Sequence, residues 1–141
     1  MTALLRQRAR IVRVRRIQHN GAASAAADAA GRVQLIEGNR ERLSRMRGEL
    51  RPAEGPMLGA ALARMSELAM RLDDARFGLG VSLDAARAAA AAKERARLTA
   101  RRDQEGAEKL QQAAAVAAND LIERRQRLVA RRPNRLKGEQ A

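Results

Sequence analysis

The sequence predicts an all-α protein: two long helices in an antiparallel coiled-coil hairpin, the second longer than the first. Three observations predict it. Of 141 residues, 32 are alanine and 26 are arginine, both strong helix formers. Leu, Ile, Val and Phe together make only 27 residues, too few for a compact globule at a net charge of +13. One long stretch also carries apolar residues at alternating spacings of four and three, the signature of a narrow helical seam.

The first helix is expected over about residues 3–50. Leu4, Leu5, Ile11, Val12, Val14 and Ile17 give it an apolar start, and Ile36, Leu43 and Leu50 repeat at seven, with Met46 three after Leu43. Between these lies Ala22 to Ala30, without a large side chain. Gly21, Gly31, Gly38 and Gly48 each cost roughly 1 kcal/mol relative to Ala in a helix. Alone this segment is marginal, and it is expected to fold by packing on the second.

A turn is expected at 51–56. Pro52 cannot continue a helix and disfavours one at Arg51. Gly55 followed by Pro56 suits the entry to the next helix. The second helix then runs over about 57–132. Leu58, Leu62, Met65, Ala69, Leu72, Arg76, Leu79, Leu83, Ala86 and Ala90 form one unbroken four-three series. One arm continues by sevens through Lys93, Ala100, Ala107, Ala114, Leu121 and Leu128. A seven-residue repeat of this length implies a left-handed supercoil. The companion arm turns polar at Arg97, Gln104, Gln111 and Arg125. Phe77-Gly78-Leu79-Gly80 is a soft spot where the helix is expected to bend. Pro133 ends the helix, and 133–141 reads as a flexible basic tail. Residues 1–132 thus form a single hairpin.

At a rise of 1.5 Å per residue the helices span ~70 Å and ~110 Å. With Leu50 opposite the start of the second helix, the first ends near residue 105. The remainder from about Gly106, including Ala107, Ala114, Leu121 and Leu128, then overhangs. In that register residues 6–16 lie beside roughly 92–102. Two like-charged faces meet there: six arginines against Lys93, Arg95, Arg97, Arg101 and Arg102, with Glu94 the sole acid.

The composition restricts chemistry. There is no Cys, hence no disulfide, thiolate nucleophile or Cys-based zinc site. The lone His19 reads as a solvated or seam residue. No phosphate loop of the form GxxxxGK[ST] occurs. The carboxylate pairs Asp73-Asp74 and Asp120 with Glu123 lie in charged helical stretches and read as solvated faces. Two packed helices form no concave pocket. No enzyme, cofactor or metal is expected. No apolar run reaches the ~20 residues of a membrane span. The basic start lacks a secretory apolar region, so a cytoplasmic protein is expected.

The charge points to an anionic partner. Arg6, Arg8, Arg10, Arg13, Arg15 and Arg16 form one acid-free run, and Arg124, Arg125, Arg127, Arg131, Arg132, Arg135 and Lys137 a second. Such runs bind phosphates at low salt, so the alternative function is a basic helical nucleic-acid-binding protein. No base-reading motif accompanies them, and one Phe without Trp or Tyr leaves little for base stacking. No specific nucleic acid is therefore expected. The same lack of aromatics counts against an interfacial membrane helix. A scaffold or coupling stalk fits better: a long axis, a seam, and ends that touch other proteins.

Three segments resemble the FliJ/YscO family, the stalk proteins of flagellar and type III protein export. They are Ala92-Lys93-Glu94-Arg95-Ala96-Arg97-Leu98, Glu108-Lys109-Leu110 and Asp120-Leu121-Ile122-Glu123-Arg124-Arg125. The resemblance implies a non-catalytic stalk whose termini-proximal end enters a hexameric export ATPase. It implies contact with a membrane-embedded export gate, and escort of export chaperones. The protein would be cytoplasmic, at the inner face of the inner membrane through its partners only. Carried onto this chain, the ATPase-facing residues are Arg6, Arg10, Arg13, Leu121, Arg124, Arg125 and Leu128. The gate face would be Leu58, Leu62, Met65 and Ala69, which equally form the intramolecular seam. The glycine and alanine content, the missing aromatics and the early turn depart from the family pattern.

Overall fold

A computed structural model describes residues 2–51 and 58–131. The described chain is all-helical, with α1 at Ala3–Glu49 and α2 at Gly59–Ala130. The second helix is longer, 72 residues against 47. The expected turn at 51–56, apart from Arg51, and the basic tail at 133–141 lie outside the described residues. Thr2 caps α1, its Oγ1 accepting from the Leu5 N–H at 3.4 Å. Arg47 and Arg127 sit in the last turns of α1 and α2, where a cation complements the helix dipole.

The chain divides into two units, one of 21–98 and one of 1–20 with 99–141. In the 21–98 unit, α1 and α2 pack on each other along two narrow strips. On α1 the residues withdrawn from solvent include Ala22, Ala26, Ala29, Val33, Ile36, Leu43, Arg47 and Leu50. On α2 they are Met65, Ala69, Leu72, Arg76, Leu79, Leu83, Ala86, Ala90 and Arg97, together with Ala61 and Gly80. Leu83 is the most enclosed at 2% exposure, followed by Leu72 and Ala26. Glu37 pairs with Arg87 at 2.9 Å, and Arg47 with Asp73 at 3.2 Å. Between them, the Arg40 guanidinium lies near Gly80.

In the other unit, Leu5, Arg8, Val12, Arg15 and His19 of α1 turn away from solvent. So do Ala100, Gln104, Ala107, Gln111, Ala114 and Ala118 of α2. Val12 is the one fully enclosed apolar residue of this unit among the described residues. Arg15 meets Asp103 at 3.4 Å and Arg16 meets Glu108 at 3.0 Å.

These pairs overturn the register expected from sequence. Residues 6–16 do not lie against a bare cationic face at 92–102, because Arg15 and Arg16 reach Asp103 and Glu108. Likewise Ala107 and Ala114 do not overhang; both are half-buried. The physical reason lies at the start of α2. Leu58 and Leu62 are 81% and 54% exposed and do not enter the strip, whereas Arg47 of α1 reaches forward to Asp73. Every contact is thereby displaced toward the C-terminus of α2. Lys93, a polar member of the predicted seam, is also exposed. From Asn119 to Arg131 every residue is exposed.

Helix α2 is unbroken through Gly78 and Gly80. A methyl group at Gly78 meets nothing, and one at Gly80 meets only the flexible Arg40 tip at 3.9 Å. Neither glycine is required for a turn or a close approach. Gly78→Ala and Gly80→Ala should each raise stability by roughly 0.5–1 kcal/mol, read as an increase in urea midpoint. Leu83→Ala should cost about 2–4 kcal/mol, a loss large enough to lower helicity visibly in circular dichroism at room temperature. An unchanged midpoint would mean that Leu83 is not enclosed by α1.

Candidate functional site: a cationic terminal unit

The net charge is unevenly divided. The unit of 1–20 and 99–141 carries 16 Lys and Arg against six Asp and Glu, a net +10. The unit of 21–98 carries 13 against ten, a net +3. The excess positive charge therefore belongs mainly to the unit of 1–20 and 99–141.

Within that unit, the sequence-predicted residues fall into two groups. Arg6, Arg10 and Arg13 are spaced four and three apart on α1, which puts them on one face. All three are exposed and make no ion pair among the described residues. Arg15, in the strip, and Arg16, on its flank, are the ones neutralised by α2. The α1 arginines thus sort by helical position into a paired set and an open set. Leu121, Arg124, Arg125 and Leu128 all lie on the fully exposed end of α2. Leu121 is 55% and Leu128 67% exposed. Of the neighbouring cations, Arg127 pairs with Glu123 at 3.3 Å within the helix.

The four residues of the possible gate face separate. Leu58 and Leu62 are exposed, while Met65 and Ala69 are half-buried in the strip. Sequence reasoning missed the exposed Phe77, the one aromatic, at 76% exposure, with Val81 at 58% and Met70 at 65%. All three lie off the seven-residue columns, so a search restricted to the seam passes over them. Phe77 and Val81 border an open groove of about 500 Å³ with Arg40, Asp73, Arg76 and Asp84. A second open groove, of about 550 Å³, runs over Ala29, Ile36, Ala85, Ala86 and Ala89. Its volume reflects small side chains on both helices rather than an enclosed cavity.

His19 is half-buried, and its Nε2 has no hydrogen-bond partner. Among the described residues no cluster of three His, Cys, Asp or Glu is suited to a metal ion. No helix among them is long and apolar enough to cross a membrane. Two carboxyls are held below the usual carboxylate range. For Glu108 the larger cause is the hydrogen bond donated by Gln104 and the next is that from Arg16. For Glu94 the cause is the hydrogen bond from Arg97, which in turn holds the guanidinium proton more firmly.

Comparisons with protein-family models, with curated proteins and with solved structures find no match for this chain.

The Glu108 carboxyl titrates lower in the folded chain than in the unfolded one. Its contribution is present above the ordinary carboxylate value of about 4.3 and is lost as pH falls through the lowered value. Glu108→Gln should therefore flatten the acid limb of a stability–pH profile. It should slightly lower stability at neutral pH, an exposed pair being worth little, and leave stability at low pH, where Glu108 is protonated, unchanged. An identical acid limb in the variant would mean that Arg16 and Gln104 do not engage this carboxylate in solution.

Proposed function

We propose that this protein is a non-catalytic stalk in which α1 and α2 form an antiparallel coiled-coil hairpin. The order of the contacts within residues 21–98 supports the antiparallel sense. Glu37 pairs with Arg87, Arg40 neighbours Gly80 and Arg47 pairs with Asp73, so rising numbers on α1 meet falling numbers on α2. The periodicity of the withdrawn residues supports the supercoil. On α2, Ala69, Arg76, Leu83, Ala90, Arg97, Gln104, Gln111 and Ala118 recur every seven residues, and on α1 so do Leu5, Val12, His19, Ala26 and Val33.

The function follows from what such a hairpin leaves free. A helix pair without an enclosed site acts through its surfaces, and the most strongly biased surface is the terminal unit at net +10. That concentration of charge is the observation that carries the reading. The stalk is a component of a bacterial flagellar or type III protein-export apparatus. Its termini-proximal end, with Arg6, Arg10, Arg13, Leu121, Arg124, Arg125 and Leu128, enters the hexameric export ATPase and couples it to the membrane-embedded export gate. Leu58 and Leu62 are the exposed part of the gate-facing set, and Met65 and Ala69 serve the seam. The resemblance to the FliJ/YscO family supplies the machine, the cytoplasmic location at the inner membrane and the escort of export chaperones. Unpaired cations around an exposed apolar strip steer an acidic partner and hold it once docked.

Affinity isolation from the native cytoplasm tests this directly: a hexameric ATPase should accompany the protein. Arg124→Glu with Arg125→Glu should weaken stimulation of that ATPase while helicity stays nearly unchanged, because both side chains are exposed. Duplex DNA at physiological salt should bind weakly, with a steep salt dependence. Tight, salt-resistant DNA binding without any ATPase effect would replace the stalk with a nucleic-acid-binding protein.

A further inference from the structure

The columns of α2 change character at one place. The column flanking its strip reads Asp73, Gly80, Arg87, Glu94, Arg101, Glu108, Ala115, Ile122, Val129, seven apart. Up to Glu108 it is polar, and Asp73, Arg87 and Glu108 use it to pair with α1. Past Ala115 it becomes aliphatic. Among the described residues the last one withdrawn from solvent is Ala118. The apolar surface of α2 thus widens just where the protein's own packing ends. Leu121, Ile122, Leu128 and Val129 are 55%, 53%, 67% and 72% exposed. At 100° per residue these four fall within one arc of roughly 120°. Arg124 and Arg131 border that arc, and Arg125 rises from its centre on a long apolar stem.

We propose that the segment 119–131, the end of α2 and the residue after it, lies on anionic lipid bilayers. Its four aliphatic side chains enter the headgroup boundary, and Arg124, Arg125 and Arg131 rest on lipid phosphates. The width of the arc and the sign of its charge select this occupant. The four aliphatic side chains fill two columns, Leu121 with Leu128 and Ile122 with Val129, with Arg125 between them. A single partner helix seated on both would enclose that guanidinium, whereas a bilayer surface lets it reach the headgroups. A second copy would bring the same cations face to face in a unit already at net +10. A nucleic acid takes the arginines but has no use for the aliphatic arc. The segment has none of the aromatics that favour a membrane interface, so attachment rests on the aliphatic arc and the cations, which a lipid surface takes together. In the sequence Arg132, Arg135 and Lys137 follow before the next acid, Glu139, so the cationic run continues past the arc. Basic residues near an anionic leaflet each strengthen attachment by roughly fivefold, and four aliphatic side chains add the insertion that charge alone lacks.

This goes beyond the stalk reading and does not rest on it. It replaces an attachment through partners only by a direct one. Lipid and ATPase occupancy of the arc exclude each other, and the assay contains no ATPase.

The chain has no cysteine, so single thiols can be placed at will. An environment-sensitive fluorophore on Ile122→Cys should shift to the blue with vesicles of 3:1 phosphatidylcholine and phosphatidylglycerol at physiological salt, and not with phosphatidylcholine alone. The same label on Val116→Cys, on the opposite side of the helix, should not shift. In the unlabelled full chain, Leu121→Gln, Ile122→Gln, Leu128→Gln and Val129→Gln together should reduce sedimentation with anionic vesicles by at least roughly tenfold. Helicity should hold, since none of the four packs on α1. Arg124→Glu with Arg125→Glu should reduce it by at least as much.

Absence of binding to anionic vesicles would overturn the proposal. So would binding that survives loss of the aliphatic residues, which would be charge alone. An Ile122 shift produced equally by polyglutamate would assign the arc to an acidic protein. A shift that grows with protein concentration without lipid would assign it to a second copy.

Discussion

Everything in this protein depends on how little apolar surface its helices share. The contact strips are two columns wide and are filled mostly by Ala, Arg and Gln, with Leu, Ile, Val and Met at a minority of positions. Among the described residues only Val12, Ala26, Leu72 and Leu83 are fully enclosed. A large aliphatic side chain stabilises by roughly 1.5–3 kcal/mol when fully buried, and an alanine by much less. Long helices held by so thin a strip gain their order from repetition along the contact rather than from any single cluster. That is why Leu83 matters out of proportion to its size.

A thin strip also specifies register poorly. An alanine column slides by one heptad at small cost, because one methyl group resembles the next. The polar flanks supply part of the missing specificity. Glu37 with Arg87, Arg47 with Asp73, Arg15 with Asp103 and Arg16 with Glu108 are the cross-helix pairs that mark the observed alignment. Each is exposed and individually worth ~0–1 kcal/mol. Sliding either helix by seven residues would break all four pairs and set Glu37 opposite Glu94 in one direction or Arg16 opposite Arg101 in the other. Three acids of α2, Asp73, Asp103 and Glu108, are thus used against α1, whereas Glu67, Glu94, Glu105 and Glu123 pair within α2. Arg6, Arg10 and Arg13 on α1 and Arg124 and Arg125 on α2 are among the exposed arginines left over.

Helix content and the α2 strip were legible in the sequence, because Leu72, Leu79 and Leu83 carry the seven-residue signal in side chains large enough to register. The α1 strip was half legible. Ile36, Leu43 and Leu50 were evident, but their column continues upstream through Ala29, Ala22, Arg15 and Arg8. Alanine and arginine occur on every face of this chain, so at those positions their spacing carries no contrast. The roles of Phe77 and Val81 as exposed apolar surface were illegible for the opposite reason: large residues off the seam look like noise in a periodic pattern.

The sequence by itself determined that the chain is helical, which face of α2 turns inward over most of its length, and that charge of one sign dominates the ends. These are local properties, fixed by propensity and by the spacing of residues along one helix. Only the tertiary structure decided the alignment of α1 on α2, and with it which arginines are neutralised and where α2 runs out of partner. Those depend on residues far apart in the chain meeting across a strip whose alanines permit several alignments. The choice among such alignments rests on the summed pairing of flank charges, which cannot be evaluated until both helices are placed side by side.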